Sequence, residues 1–143
     1  MPSAVIAITG ASGSVYSVRL IDILVNAGWE IFLTVTREGA INLKLECGMT
    51  PKDLSKKYGL RLEENQNLAA RSASGSAKFD AYVICPASGT TIGKIASGIS
   101  DNLATRSAIV ALKERRKLII VPRETPVATP HLEAMAKLSS LSL

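Results

Sequence analysis

Histidine occurs once in the 143 residues, as His131, and cysteine twice, as Cys47 and Cys85. A lone imidazole and two thiols far apart offer no metal-ligand spacing and no disulfide framework; reduced, buried thiols are expected. Aromatic residues are equally sparse. Two Phe, one Trp and three Tyr leave little surface on which bases could stack, which argues against a nucleic-acid partner of the single-stranded kind. No apolar run approaches the roughly 18 residues that a bilayer span needs, and no basic stretch followed by an apolar signal segment opens the chain. No membrane partner and a cytoplasmic location are the expectation. Nor does one sign of charge dominate, since 17 basic against 12 acidic residues leave +5, too mild to choose among nucleic acid, membrane surface and small anions. The densest basic cluster, Lys113, Arg115, Arg116 and Lys117, falls at the expected end of a helix, where cations complement the dipole.

What the chain has is apolar side chain: 47% hydrophobic content in the length of one domain is enough for a sizeable core. A single domain over residues 1–143 is expected. Apolar runs at Ala4–Thr9, Trp29–Thr36, Asp80–Pro86 and Lys117–Pro122 read as strands,. Between them the apolar period is helical: Val15, Val18, Leu20, Ile21 and Leu24 after the first strand, Glu38 to Glu46 after the second, and Leu103 to Arg115 before the fourth,. Thr50 and Pro51 mark the start of a short capped helix, and Thr129 with Pro130 the start of a last one bearing Leu132, Met135 and Leu138,. Leu60 to Lys78 shows no clear period. Wholly apolar strands alternating with helices predict an α/β fold: a doubly wound, mainly parallel sheet with helices on both faces, three-layered and flavodoxin- or Rossmann-like.

In such a sheet ligands bind beyond the carboxyl ends of the strands. Those ends read TGASGS (Thr9–Ser14), TREG (Thr36–Gly39), PASGTT (Pro86–Thr91) and PRETP (Pro122–Pro126), all small, hydroxylated or basic. The first precedes a helix whose free N–H groups favour an anion, unless the loop is only a turn capped by Ser12 or Ser14. Four such loops together point to an anion-bearing cofactor. A dinucleotide is disfavoured, because the third glycine of its fingerprint is replaced by Tyr16, and Thr36 and Arg37 stand where an acidic residue would meet the ribose. A short-chain reductase is disfavoured too: none of Tyr16, Tyr58 or Tyr82 has a lysine four residues on. Hydroxyls and arginines around a helix N-terminus better suit a mononucleotide phosphate.

Together, ITGASGSVYSVRL, PASGTTIGKIASGISDNLATRSAIVALKERRKLIIVPRETP and HLEAMAKL closely resemble the flavin prenyltransferases, formerly called aromatic acid decarboxylases. The likeness runs from Ala4 to about Leu138. The resemblance implies flavin mononucleotide (FMN) held by Gly10, Ala11 and Ser12, by Thr36, by Ser88, Gly89, Thr90 and Thr91, and by Arg123. It implies transfer of a dimethylallyl group from dimethylallyl monophosphate to N5 and C6 of reduced FMN, giving a prenylated flavin for a separate decarboxylase. Lys113 and Arg123 then match the cations that hold the leaving phosphate, and Ser12, Glu46 and Glu124 the catalytic groups that move protons. Simpler readings stand beside these: Lys113 as a helix-end cation, Glu46 as a solvated residue, Glu124 paired with Arg123. The resemblance also implies a homo-oligomer of trimers, up to a dodecamer, with Lys113 serving a neighbouring subunit's site.

The family pattern continues past the HLEAMAKL helix with a strand and a tail whose tyrosine and basic residue grip the substrate phosphate, whereas this sequence stops at KLSSLSL. A non-catalytic FMN-binding module is therefore a second expectation. An FMN-dependent cysteine decarboxylase is a third; its mid-chain histidine and its Pro-x-Met-Asn-x-x-Met-Trp segment have no counterpart here.

Overall fold

The computed structural model describes residues 1–141. β1 (Ser3–Ile8) leads through a tight loop to α1 (Ser14–Asn26), β2 (Glu30–Val35), α2 (Arg37–Cys47), α3 (Pro51–Tyr58) and a two-residue β3 (Arg61–Leu62). After a long loop come β4 (Ala81–Ala87), α4 (Gly89–Ala96), α5 (Leu103–Lys113), β5 (Leu118–Pro122) and α6 (Thr129–Ser140). The five strands form one sheet in the order β3-β2-β1-β4-β5, every pair parallel. The chain leaves β1 toward β2 on one side, and β4 on the other side leads away to β5, so the topological switch point lies between β1 and β4. No helix among the described residues is long and apolar enough to cross a membrane.

The two-residue period of the strands divides the core between the faces of the sheet. Ile6, Ile8, Ile31 and Leu33 pack with Ile21 of α1, Leu43 of α2 and Leu54 of α3. On the opposite face Ala7 and Ile84 meet Ile92 and Ile95 of α4, Ala104 and Ala108 of α5, and Ala134 of α6, while Val5, Phe32 and Tyr82 meet Phe79 and Ala111. Helices thus cover both faces.

Several expectations are corrected. The unpatterned stretch after Leu60 contains β3, whose two residues are both exposed. The strand expected to stop at Pro86 runs on to Ala87 across a register shift against β5 between Ile84 and Ala87; such an irregularity is where a sheet tolerates a proline. The segment expected to carry at least one helix does so, with two, α4 and α5, separated at Gly98 (φ +75°). Thr129 does not cap α6: Ala128 holds that position without a side-chain bond, and Thr129 and Pro130 are its first two residues. β5, expected to be covered on both faces, leaves Ile119 44% and Val121 36% exposed, because it is the edge strand and α6 packs only on the side of Leu118 and Ile120.

One glycine sets the contact that aims α2 along the sheet. A Cβ at Gly39 would lie 2.5 Å from the Ile8 carbonyl oxygen and 3.1 Å from Thr36 Oγ1, and a strand carbonyl cannot step aside as a side chain can. Gly39→Ala is expected to destabilise the fold by about 1–3 kcal/mol, as overpacking does. Gly93→Ala, in α4 with open space around the new methyl, is expected to be neutral or stabilising by up to about 1 kcal/mol. Urea midpoints of the two variants check the pair.

Candidate functional site

Thr9 aligns the strand ends at the switch point. Its N–H and its hydroxyl both donate to the Pro86 carbonyl, at 3.2 and 2.7 Å, and its Oγ1 accepts from the Ser88 N–H at 2.8 Å. The loops after β1 and β4 are therefore fixed side by side. Beyond them opens a cleft of about 380 Å3 lined by Gly10, by Thr36, Arg37 and Glu38, by Asn65 and Gln66, by Ser88, Thr90, Thr91 and Lys94, and by Asp101 and Asn102. A volume of this order is that of a small-molecule site, for which the usual range is about 300–1,000 Å3.

Two helices present their N-termini here. Ser88 caps α4: its Oγ accepts from the Thr91 N–H at 3.1 Å and donates to Thr91 Oγ1 at 2.8 Å. Thr36 caps α2 by accepting from the Gly39 N–H at 3.0 Å. First-turn N–H groups of a helix have no intrahelical acceptor and, with the dipole, favour an anion. Gly10 lets the β1 loop lie against α2, since a Cβ there would come 2.6 Å from Glu38 Cβ. The opposite wall is the loop after β3. Asn65 is buried; its carbonyl accepts from the Leu103 N–H at 2.7 Å and its Oδ1 from the Ala104 N–H at 3.0 Å, so it binds the start of α5. Asn65, Gln66, Lys94, Asp101 and Asn102 were not singled out from sequence. The loop that brings the first two follows a strand too short to leave a pattern, and only the Asp-Asn pair before α5 was a legible helix-start signal.

The N-terminus of α1, the other anion seat suggested by the sequence, is filled from within the chain. Gly13 is its N-cap at φ +116°, and neither Ser12 nor Ser14 caps it. Instead the Glu46 carboxylate, from the last turn of α2, accepts from the Gly13 N–H at 3.1 Å, the Ser14 N–H at 2.9 Å, the Ser12 hydroxyl at 2.7 Å and the Ser14 hydroxyl. Hydrogen bonds from the Ser14 and Ser12 hydroxyls lower its pKa from the ordinary 4.5 to about 2. Glu46 is thus a fixed, ionised partner of Ser12 rather than a freely solvated side chain.

Arg123 and Glu124 follow β5 on the far side of α4 and line a smaller cavity of about 90 Å3 with Gly89 and His131. The Arg123 stem also reaches the first loop, where a Cβ on Gly13 would meet its Cγ at 3.4 Å. Glu124 lies 3.6 Å from His131 Nδ1; among the described residues it makes no ion pair with Arg123. Ala11 is buried beneath the rim. Gly10, Thr36, Ser88, Thr90 and Thr91 therefore meet in one cleft, Ser12 and Glu46 stand together beside it, and Gly89, Arg123 and Glu124 flank it.

Lys113 is not brought there. It ends α5 just before β5 begins, so it lies at the amino edge of the sheet, where its Nζ is 3.4 Å from Glu114 Oε1 and where Arg116 bonds the Ala77 carbonyl and the Tyr82 hydroxyl. Cys85 is buried, and burial pushes its thiol pKa up, which removes it as a nucleophile,. Among the described residues no three His, Cys, Asp or Glu side chains are grouped as metal ligands.

Comparison with known proteins agrees with this geometry. The model of the family described as Flavoprotein matches residues 2–142. The flavin prenyltransferase UbiX of Methanocaldococcus jannaschii is 44% identical over 137 residues, covering 96% of this chain and 73% of the relative. The crystal structure of AnUbiX (PadA1) in complex with FMN and dimethylallyl pyrophosphate superposes with a TM-score of 0.93 at 31% identity, over 98% of this chain and 74% of that one. A dodecameric FMN-dependent UbiX-like decarboxylase from Escherichia coli O157:H7 gives 0.94 at 32% identity, over 99% and 77%.

Because the Glu46 pKa is depressed, the stability that its carboxylate adds is fully present above pH 4.5 and is lost as pH falls toward about 2,. Glu46→Gln is expected to cost about 1 kcal/mol at pH 7, the worth of an exposed helix cap. Thermal unfolding of the two proteins across pH 7 to 2 checks this: the gap is expected to narrow between pH 4.5 and about 2.

Proposed function

The chain belongs to the flavoprotein family, and within it to the flavin prenyltransferases; on that premise we propose that its switch-point cleft seats FMN and that the rim beside it carries out prenyl transfer. The protein binds FMN and transfers a dimethylallyl group to it, as its relatives' names and the ligands of AnUbiX describe for them. The observation that carries the reading is the donor set: hydroxyls of Thr36, Ser88, Thr90 and Thr91 at two helix N-termini, with Arg37 beside them, in a cleft of about 380 Å3. Such donors suit a phosphate monoester. Gly10 lies in the cleft wall; Ala11 and Ser12 follow it in the β1 loop, and Gly89 and Arg123 stand on the flank.

When bound, reduced FMN supplies the nucleophilic N5 and C6 positions to which the dimethylallyl group is joined. The chain's own residues then have three tasks. Arg123, an exposed donor fork on the loop after β5, holds the phosphate of dimethylallyl monophosphate as its C–O bond breaks, so that negative charge builds beside a cation. Ser12 acts as a relay, its oxygen taking the proton that leaves N5 as its own proton passes to Glu46, to which the hydroxyl already donates at 2.7 Å; the low pKa of Glu46 holds that carboxylate ionised, with a free lone pair for the proton in transit. Glu124, on the flank of α4, takes the proton that leaves C6 and returns it to the former alkene carbon of the dimethylallyl group, so that one proton is released overall as the two bonds form. The prenylated flavin is then released to a decarboxylase. Lys113, on the wrong edge in its own chain, serves the phosphate of a neighbouring subunit's site in a homo-oligomer built from trimers.

Anaerobic incubation with reduced FMN and dimethylallyl monophosphate is expected to release a flavin heavier by the prenyl group; an unshifted mass overturns the reading. Thr90→Val removes one cleft hydroxyl that makes no hydrogen bond within the described chain, and is expected to weaken FMN about five- to tenfold, the worth of one hydrogen bond. If subunits share sites, co-expressed Lys113→Ala and Ser12→Ala chains regain activity that neither has alone.

A further inference from the structure

The single imidazole of the chain has no task in the mechanism above, yet it is among the most constrained side chains near the site. His131 is the third residue of α6. Its N–H donates to the Ala128 carbonyl at 3.0 Å, and the helix behind it is packed onto α4 through Ala134 and Met135. The ring rests on Gly89, the first residue of α4: a Cβ there would lie 2.2 Å from Cε1 and 2.4 Å from Nδ1. Gly89 has no positive φ, so the ring, rather than the backbone, is what demands a glycine.

Among the described residues, the buried Nδ1 has no hydrogen-bond partner, and the Glu124 carboxylate, 3.6 Å away, makes the one ion-pair contact of this imidazole. That separation is too long for a hydrogen bond and short enough to close with a small rotation of an exposed side chain. Contacts of this kind commonly tighten only when substrate is bound. The arrangement joins a ring fixed by two packed helices to a carboxylate on an exposed loop. Other charged groups near the imidazole are Arg123 on the same loop, Lys94 of α4, and Glu133 and Lys137 of α6.

We propose that His131 is the positioning residue for Glu124, donating from Nδ1 to its carboxylate and holding it toward the α4 flank of the cleft instead of letting it collapse onto Arg123. The inference rests on the prenyltransferase reading for its kinetic consequence and on the geometry alone for the contact. Arg123 is thereby left free to meet phosphate.

Two substitutions separate donation from packing. His131→Phe keeps a ring on Gly89 without a donor; His131→Asn keeps a donor near the Nδ1 position without the ring. The Phe variant is expected to lower the prenyl-transfer kcat about tenfold, a fraction of the usual worth of proton transfer, with FMN affinity and the KM for dimethylallyl monophosphate within about twofold. The Asn variant is expected to recover most of the rate. In a Glu124→Gln background, His131→Phe is expected to add no further loss. A Phe variant at full rate, equal losses for Phe and Asn, an effect on KM alone, or multiplying losses in the double variant each overturn the proposal. A second measurement needs no turnover. The Hε1 and Hδ2 NMR signals of the sole imidazole, at fixed pH, are expected to move in Glu124→Gln and to stay in place in Glu133→Gln; signals unmoved by Glu124→Gln overturn the contact. If the parent protein yields no prenylated flavin, the prenyltransferase reading fails and the NMR result alone decides on His131.

Discussion

One buried hydroxyl holds the two halves of the sheet in register where the ligand cleft begins. Thr9 has three hydrogen bonds to the ends of β4, and they come at the point where the parallel ladder between β1 and β4 has already ended at Ala7 and Ile84. Pro86 has no N–H to offer, so an ordinary ladder could not continue past it. The Thr9 side chain supplies the missing connection. Because Ser88 is both a donor to Thr9 and the cap of α4, the latch also sets where the N-terminus of α4 points. Losing that hydroxyl would uncouple the first loop from the fourth strand before it disturbed any apolar contact.

The neighbouring helix shows how the same backbone chemistry is put to two uses. The N-termini of α1 and α4 both stand at the carboxyl edge of the sheet, and both favour an anion. At α1 the anion is the protein's own Glu46, held by two N–H groups and two hydroxyls. That interaction fills the position with the chain's own negative charge. At α4 no carboxylate is bonded to the first turn among the described residues, and Ser88, Thr90 and Thr91 line the cleft together with Glu38 and Asp101. The division leaves one of these two helix starts open to the cleft and the other filled from within the chain.

Most of the fold was legible because its strands are apolar runs and its helices carry caps and periods. Thr36, Ser88, Asn102 and the Thr50–Asp53 capping box all act at helix starts. What escaped was written in space rather than in pattern. β3 is two exposed residues long, and with it went Asn65 and Gln66, half of one cleft wall. Thr129 looked like a cap, but the helix begins one residue earlier, with Ala128 in the capping position. The partner of Glu124 was misjudged for a related reason: Arg123 is next to it in sequence, whereas adjacent side chains on an extended segment diverge. The residue that it faces, His131, comes from the following helix. Gly89 read as a phosphate-loop glycine, and only the ring stacked on it shows a second cause.

Lys113 shows which edge of the sheet a crossover helix reaches. In a parallel sheet a crossover helix ends at the edge opposite the ligand site, and β5 must then run its five residues to return to it. At about 3.3 Å per residue that is a separation of roughly 17 Å, several times what a lysine stem can span. No rotamer of Lys113 brings it to Arg123 of its own chain. It is half-exposed, its one ion pair among the described residues is with its sequence neighbour Glu114, and pairs of that kind contribute little. The topology that builds the switch-point cleft within one chain thus keeps that chain's Lys113 away from it.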